Sequence, residues 1–289
     1  MPVLTRISNP FVTVDVSSLG AEMQSLTSSD GRSWLWNGDP AYWSGRSPLL
    51  FPIVGKAPDN RVSIEGKSFE MGQHGFARRS EFTLSASNDT MCRFDLKASE
   101  TSRAIYPFEF HLSQTHSLDD RTLIVSTEVR NDDARPMPFG LGYHPAFLWP
   151  LPGADGKPHR ISLDNGADPL LARLHDGLLS SDRLTSPFKG GSLILDPADF
   201  AADAMVFPEG AGNGLTYGVG AGAQLKFSFV NLPNLALWQK PGAPFICIEP
   251  WHGMAADYGA SNDLALRPFT LTLPPGEKAY FAFTVELPG

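Results

Sequence analysis

Apolar and polar residues alternate with a period of two along most of this chain. Phe11-Val12-Thr13-Val14-Asp15-Val16 puts its valines on one face and Phe11, Thr13 and Asp15 on the other, as a strand packed on one side does. Similar runs flank turn residues: 22–27 and 33–36 about Asp30-Gly31, 62–64 and 68–70 about Glu65-Gly66-Lys67, 81–87 and 91–98 about Asn88-Asp89, and 108–115 and 122–130 about Asp119-Asp120. Further strands are predicted at 192–195, 203–207, 223–230, 235–239, 269–273 and 280–286. The apolar run 47–55 is broken by Pro48 and Pro52, which predicts an edge or a bulge. Only 170–179 looks helical, against Gly177, and 150–165 reads as a surface excursion. With no strand–helix–strand alternation, the pattern predicts an all-β fold. It is a large antiparallel β-sandwich, formed as a single domain over 1–289.

The chain is organised around Phe245-Ile246-Cys247-Ile248-Glu249-Pro250-Trp251-His252-Gly253. Strand alternation points Phe245, Cys247 and Glu249 one way and Ile246 and Ile248 the other. Both faces are apolar, so the strand is buried on two sides and Glu249 lies at the edge of a core. Desolvation raises a carboxyl pKa toward neutrality, which suits a general acid or base. A carboxylate tied to a buried arginine fits the same segment equally well.

Composition narrows the function. Of 289 residues 42% are hydrophobic, enough for a core without disulfide or metal support, and the net charge is −8. No basic block appears, so neither nucleic acid nor another polyanion is an expected partner. Cys92 and Cys247 are too few for a secreted disulfide framework, and Cys247 reads as a small core residue. The first residues lack a basic region followed by an apolar run, and no window approaches a membrane span. A cytoplasmic protein without membrane contact is expected, as a monomer or weak homodimer.

His74 precedes glycine, while His144 and Glu249 each precede proline, which confines the preceding residue to extended backbone and fixes where its side chain projects. Each histidine alone is more often a satisfied structural residue, and it is their coincidence with Glu249 that points to a site. His111 and His116 fall on opposite strand faces and cannot share a site. There is no G-x-S-x-G elbow, no H-E-x-x-H or paired-cysteine metal spacing, no Walker loop and no dinucleotide fingerprint. A metal held by His74, His144 and Glu249 would need ligands from distant strands, and none is expected. Trp34, Trp36, Tyr42 and Trp43 form an aromatic group that either lines a sugar site or, as is commoner for tryptophan, fills a corner.

Three segments, Gln73-His74-Gly75-Phe76-Ala77-Arg78, Gly142-Tyr143-His144-Pro145-Ala146-Phe147 and Ile248-Glu249-Pro250-Trp251-His252-Gly253, resemble in order the signatures of the aldose 1-epimerase (galactose mutarotase) family. Phe51-Pro52-Ile53-Val54-Gly55 is similar to the family's segment ahead of the first signature, and the endings look most like its LacX-type branch. The resemblance spans about residues 10–285 and implies the galactose mutarotase-like super-sandwich.

It also implies roles. Glu249 matches the base that deprotonates the anomeric hydroxyl, His144 the acid that protonates the ring oxygen, and His74 the histidine that binds the sugar. Asp203 matches an aspartate that holds sugar hydroxyls, and Gln73, Arg78 and Trp238 are further candidate contacts. The hexose-6-phosphate epimerases of the same superfamily also carry an arginine at the place of Arg78, and Arg46 lies near their second, which helps hold the phosphate, although Arg46-Ser47-Pro48 departs from that pattern. The implied activity interconverts the anomers of a free monosaccharide without a cofactor. The alternatives are a hexose-6-phosphate 1-epimerase and a non-catalytic sugar-binding or sensing protein.

Overall fold

Short antiparallel strands joined by tight turns account for nearly all regular structure in the computed structural model, which describes residues 2–289. Nine of them form one sheet in the order Ser192–Ile194, Arg160–Leu163, Gly214–Gly218, Gln224–Val230, Lys278–Glu286, Thr122–Asn131, Phe110–Asp119, Met91–Lys97 and Thr83–Asn88. A six-stranded sheet is centred on Phe245–His252, which pairs with Asn234–Trp238 on one side and with Leu141–Tyr143 and Ala146–Leu148 on the other. Leu4–Ser8, Val12–Ser17 and Met23–Ser28 make a third sheet. The longest helix with α geometry has four residues, and no helix among the described residues is long and apolar enough to cross a membrane.

Aromatic side chains join the two large sheets. Tyr143 packs on Phe283 with ring centroids 4.9 Å apart, and Phe147 meets Phe227 at 5.0 Å. The Tyr143 hydroxyl donates to the Phe281 carbonyl at 3.2 Å and lies 2.8 Å from the Thr127 hydroxyl, so its polar end is satisfied inside the core. The inward valines Val12, Val14 and Val16 belong to the same apolar cluster.

Most predicted hairpins form with the predicted turns: Arg61–Ile64 with Lys67–Glu70, Thr83–Asn88 with Met91–Lys97, and Phe110–Asp119 with Thr122–Asn131. His116 is buried on the Ala21 carbonyl while His111 faces Asp95, so the two do diverge. Other expectations need correcting. The segment 170–179 is no helix but two strand stubs, Leu174–His175 and Leu178–Leu179, because Asp176 and Gly177 take left-handed backbone (φ 52° and 79°) and turn the chain back. Within 150–165, Arg160–Leu163 is a strand of the large sheet with Ile161 fully buried. After Trp34, whose amide still donates to the Leu26 carbonyl and whose ring stays in the main core, the chain leaves its hairpin, and the Trp36 amide donates to the Ala146 carbonyl, carrying Trp36 to the six-stranded sheet.

Candidate active site

The central strand sorts its side chains as alternation requires. Ile246 and Ile248 enter the main core, while Phe245 and Cys247 join Trp36, Ala146 and Ala243 on the other face. Glu249 continues that second face, only 2% exposed, opposite Ala236. His144 reaches the same place from the adjacent chain. Tyr143 is committed to the core, so the next side chain faces away from it, and Ala146 pairs with Cys247. The His144 Nε2 atom lies 3.3 Å from a Glu249 carboxylate oxygen.

His74 arrives on strained backbone. Its φ is +64° and that of Gly75 +70°, and the turn is held by the His74 amide donating to the Gly55 carbonyl at 2.8 Å. The Gly55 amide donates to His74 Nδ1 at 3.1 Å, which leaves the proton of the neutral ring on Nε2, 3.3 Å from the end of the Gln73 side chain, whose carboxamide oxygen is the atom able to accept it. The His74 and His144 rings meet edge to face, with centroids 5.6 Å apart.

These groups line a cavity of about 400 Å³, within the ~300–1,000 Å³ usual for small-molecule sites. Gln73, His74, Arg78, His144, Asp203, Trp238 and Glu249, all singled out from the sequence, share it. Leu174, Gly177 and Leu179 bring the 170–179 segment to the same wall. Arg46 is placed differently. It is not among the lining residues, and its guanidinium hydrogen-bonds the Gln24 side chain at 2.6 Å. Lys240 lines the cavity without any sequence signal, and Trp43 matters more than its place in an aromatic group indicated. Four of the nine buried side-chain polar atoms that lack a hydrogen bond among the described residues are Arg78 Nε, His144 Nδ1, Glu249 Oε2 and Trp251 Nε1, the 3.3 Å contact of Glu249 Oε2 with His144 Nε2 falling outside hydrogen-bond geometry. Unpaired buried polar atoms are costly, so their gathering around one hollow marks where a polar ligand would be held.

Burial pushes the Glu249 carboxyl well above its ordinary value, with Asp203 acting in the same direction and Trp251, to a lesser degree, against it. Burial and the nearby Arg78 hold the His144 imidazole down at about 3. His74 is lowered by burial and then by His144 and Arg78, so it acts as a neutral donor. With one proton between Glu249 and His144, burial favours it on the carboxyl. Either placement leaves one donor and one acceptor side by side, which is what concerted acid–base chemistry on a single small molecule needs. His144, Cys247 and Glu249 also place three potential metal-ligand atoms within 4.8 Å of one another. Burial and Glu249 keep the Cys247 thiol protonated, and His144 Nδ1 lacks the outer hydrogen bond that ordinarily orients a ligating imidazole. This donor set suits proton transfer better than ion coordination.

The sequence profile of the family described as aldose 1-epimerase matches residues 3–168. The chain belongs to the aldose 1-epimerase family. Among its curated relatives, the chromosomal LacX protein of Lactococcus lactis subsp. lactis is 30% identical over 293 aligned positions, covering 95% of this chain and 97% of the relative. A galactose mutarotase related enzyme from Lactobacillus acidophilus superposes with a TM-score of 0.94 at 27% identity, over 99% of this chain and 98% of its own. A galactose mutarotase-like protein from Lactobacillus casei ATCC 334 gives 0.93 at 28% identity, over 99% and 100%. The galactose mutarotase-like sandwich expected from the sequence is therefore the fold, and membership of the aldose 1-epimerase family implies an isomerase acting on sugars.

Proposed function

We propose that this cavity interconverts the α and β anomers of a free aldose by opening and reclosing the ring. The observation that carries this reading is the buried His144–Glu249 pair, 3.3 Å apart at a cavity of monosaccharide size. Glu249 takes the proton of the anomeric hydroxyl as His144 delivers one to the ring oxygen. This requires the shared proton on His144, the placement in which carboxylate and imidazolium neutralise each other. The ring opens to the free aldehyde, the carbonyl turns, and the two residues exchange roles to close the other anomer. His74 donates from Nε2, Asp203 and Gln73 engage hydroxyls, and Trp238 offers an apolar wall. Polarimetry of freshly dissolved α-glucose, α-galactose and a wider aldose panel tests the proposal. Equilibration no faster than in buffer for every sugar would end it.

One observation favours a phosphorylated substrate as a second reading. Arg78 forms no ion pair among the described residues, although Glu22 acts on it from farther off; one guanidinium nitrogen donates to the Gln73 carbonyl at 3.0 Å, its Nε is buried without a partner, and Lys240 lines the same cavity. A half-buried guanidinium without a counter-ion is a place for an anion. Arg46, engaged with Gln24, is not positioned for a two-arginine clamp. If the substrate carries phosphate, Arg78→Ala will raise KM for the hexose 6-phosphate at least ~10-fold and leave the free hexose nearly unchanged, since charge-assisted bonds are worth ~1.5–3 kcal/mol. Equal effects on both sugars leave the free aldose as substrate. The third reading, a non-catalytic sugar sensor of the same fold, predicts sugar binding without turnover.

The paired titration has a measurable consequence. Gaining a second proton requires protonating His144, which is held at about 3, and losing the first requires ionising a carboxyl raised by burial. Turnover is expected to stay flat as pH passes through 6.5, the ordinary imidazole value. A half-loss of kcat centred there would show that one member of the pair titrates at the ordinary imidazole value, and that burial does not hold the two apart.

A further inference from the structure

The indole of Trp43 lies over the imidazole of His144, with ring centroids 4.9 Å apart and planes inclined by 29°. Trp238 and His74 stand nearly perpendicular to the same imidazole, at 5.7 and 5.6 Å, so of these three rings Trp43 is the one stacked on it. The segment that carries Trp43 is tied down on both sides. The Trp43 amide donates to the Asp39 carbonyl at 2.9 Å, and the Trp36 indole N–H donates to the Trp43 carbonyl at 2.8 Å. Beyond it, the backbone amides of Arg46 and Ser47 both donate to one Glu22 carboxylate oxygen, at 2.7 and 2.9 Å, and the Arg46 guanidinium is held by Gln24. Gly45 leaves the room the ring needs, since a Cβ there would lie 2.5 Å from an indole carbon.

We propose that residues 38–47 form a strap whose task is to seat Trp43 on His144, making Trp43 a positioning residue for the proton donor. A stacked indole holds the imidazole in the plane that directs Nε2 at Glu249, and it excludes water from that face. Arg46 takes its place here as an anchor of the strap. The other groups facing His144 are Glu249, His74, Cys247 and the more distant Arg78, and none of them shields the ring face that Trp43 covers.

The inference rests on the epimerase reading for its kinetic arm but not for its spectroscopic one. In Trp43→Ala, kcat is expected to fall about 10- to 100-fold with KM within about threefold, part of the ~10²–10⁴ that acid–base catalysis supplies. Trp43→Phe, which keeps a stacking ring, is expected to restore kcat to within a few-fold. Gly45→Ala removes no group from the cavity and displaces the indole, so it is expected to follow Trp43→Ala. NMR titration of the His144 ring is expected to show a pKa rising toward its ordinary value in Trp43→Ala and Gly45→Ala but not in Trp43→Phe. Unchanged kcat and unchanged titration in folded Trp43→Ala and Gly45→Ala would overturn the proposal. So would a rise in KM alone, which would make Trp43 a platform for the sugar. If the wild type accelerates no sugar, the epimerase reading fails, and the titration still decides what Trp43 does.

Discussion

Glu249→Gln is expected to lower kcat for anomer interconversion by about 10³-fold while leaving sugar affinity nearly unchanged. Glutamine keeps the volume of the side chain and can still hydrogen-bond a sugar hydroxyl, so the packing around Phe245, Cys247 and Trp251 has no reason to move. It has no carboxylate to receive the anomeric proton, and His144 loses the partner with which it shares one. Positioned acid–base groups contribute ~10²–10⁴-fold, and this substitution removes one half of the pair outright. Exchange between anomers measured by NMR at equilibrium gives the rate without a coupled assay, and a sugar titration followed by calorimetry gives the affinity. A variant within about threefold of the wild-type rate would remove Glu249 from the chemistry. A wild type that binds sugar without turnover, beside an equally binding variant, would establish the sensor reading instead.

The sequence made the strands legible because the buried and exposed positions of a two-sheet sandwich alternate, and no distant contact is needed to see that. Val12, Val14 and Val16 are all buried, and Ile246 and Ile248 separate from Phe245 and Cys247 as the alternation requires. It made the catalytic candidates legible where the neighbour of a titratable residue constrains the backbone: Pro145, Pro250 and Gly75 each do so. What could not be read depends on the path of the chain between strands. The 170–179 segment has an apolar spacing compatible with a helix, and only the left-handed pair Asp176-Gly177 reverses it. Arg46 sits close in sequence to the apolar run that leads to the site, yet its side chain is captured by Gln24, a partner 22 residues earlier. Lys240 reaches the cavity from the turn after Asn234–Trp238, and a lone lysine in a turn carries no periodicity to mark it.

Gly75→Ala is expected to destabilise the protein by about 2–5 kcal/mol and to abolish activity even where the folded state persists. The backbone at Gly75 has φ +70°, a conformation that costs an L-residue with a side chain ~1–2 kcal/mol. The added Cβ would stand 2.1 Å from the Phe51 carbonyl oxygen and 2.5 Å from its carbon, so backbone must move to admit it. Phe51 cannot easily yield: it is fully buried and in ring contact with Phe76, Tyr106, Phe110 and Phe139, and overpacking of such a site adds ~1–3 kcal/mol. Any relief must shift the 72–77 turn, where the Phe76 amide donates to that same Phe51 carbonyl and the His74 amide to Gly55. The turn carries His74 to the cavity wall, so the shift that accommodates the methyl group displaces the imidazole from the place the proposed chemistry needs. Urea unfolding monitored by tryptophan fluorescence measures the first effect, and anomer exchange well below the midpoint measures the second. Gly66→Ala, at the same kind of left-handed turn (φ +76°) but with open space around its Cβ, separates backbone strain from collision. It should cost only the ~1–2 kcal/mol of the conformation and leave turnover intact. Equal losses in the two variants would mean that the contact with Phe51 relaxes freely and that the placement of His74 does not depend on it.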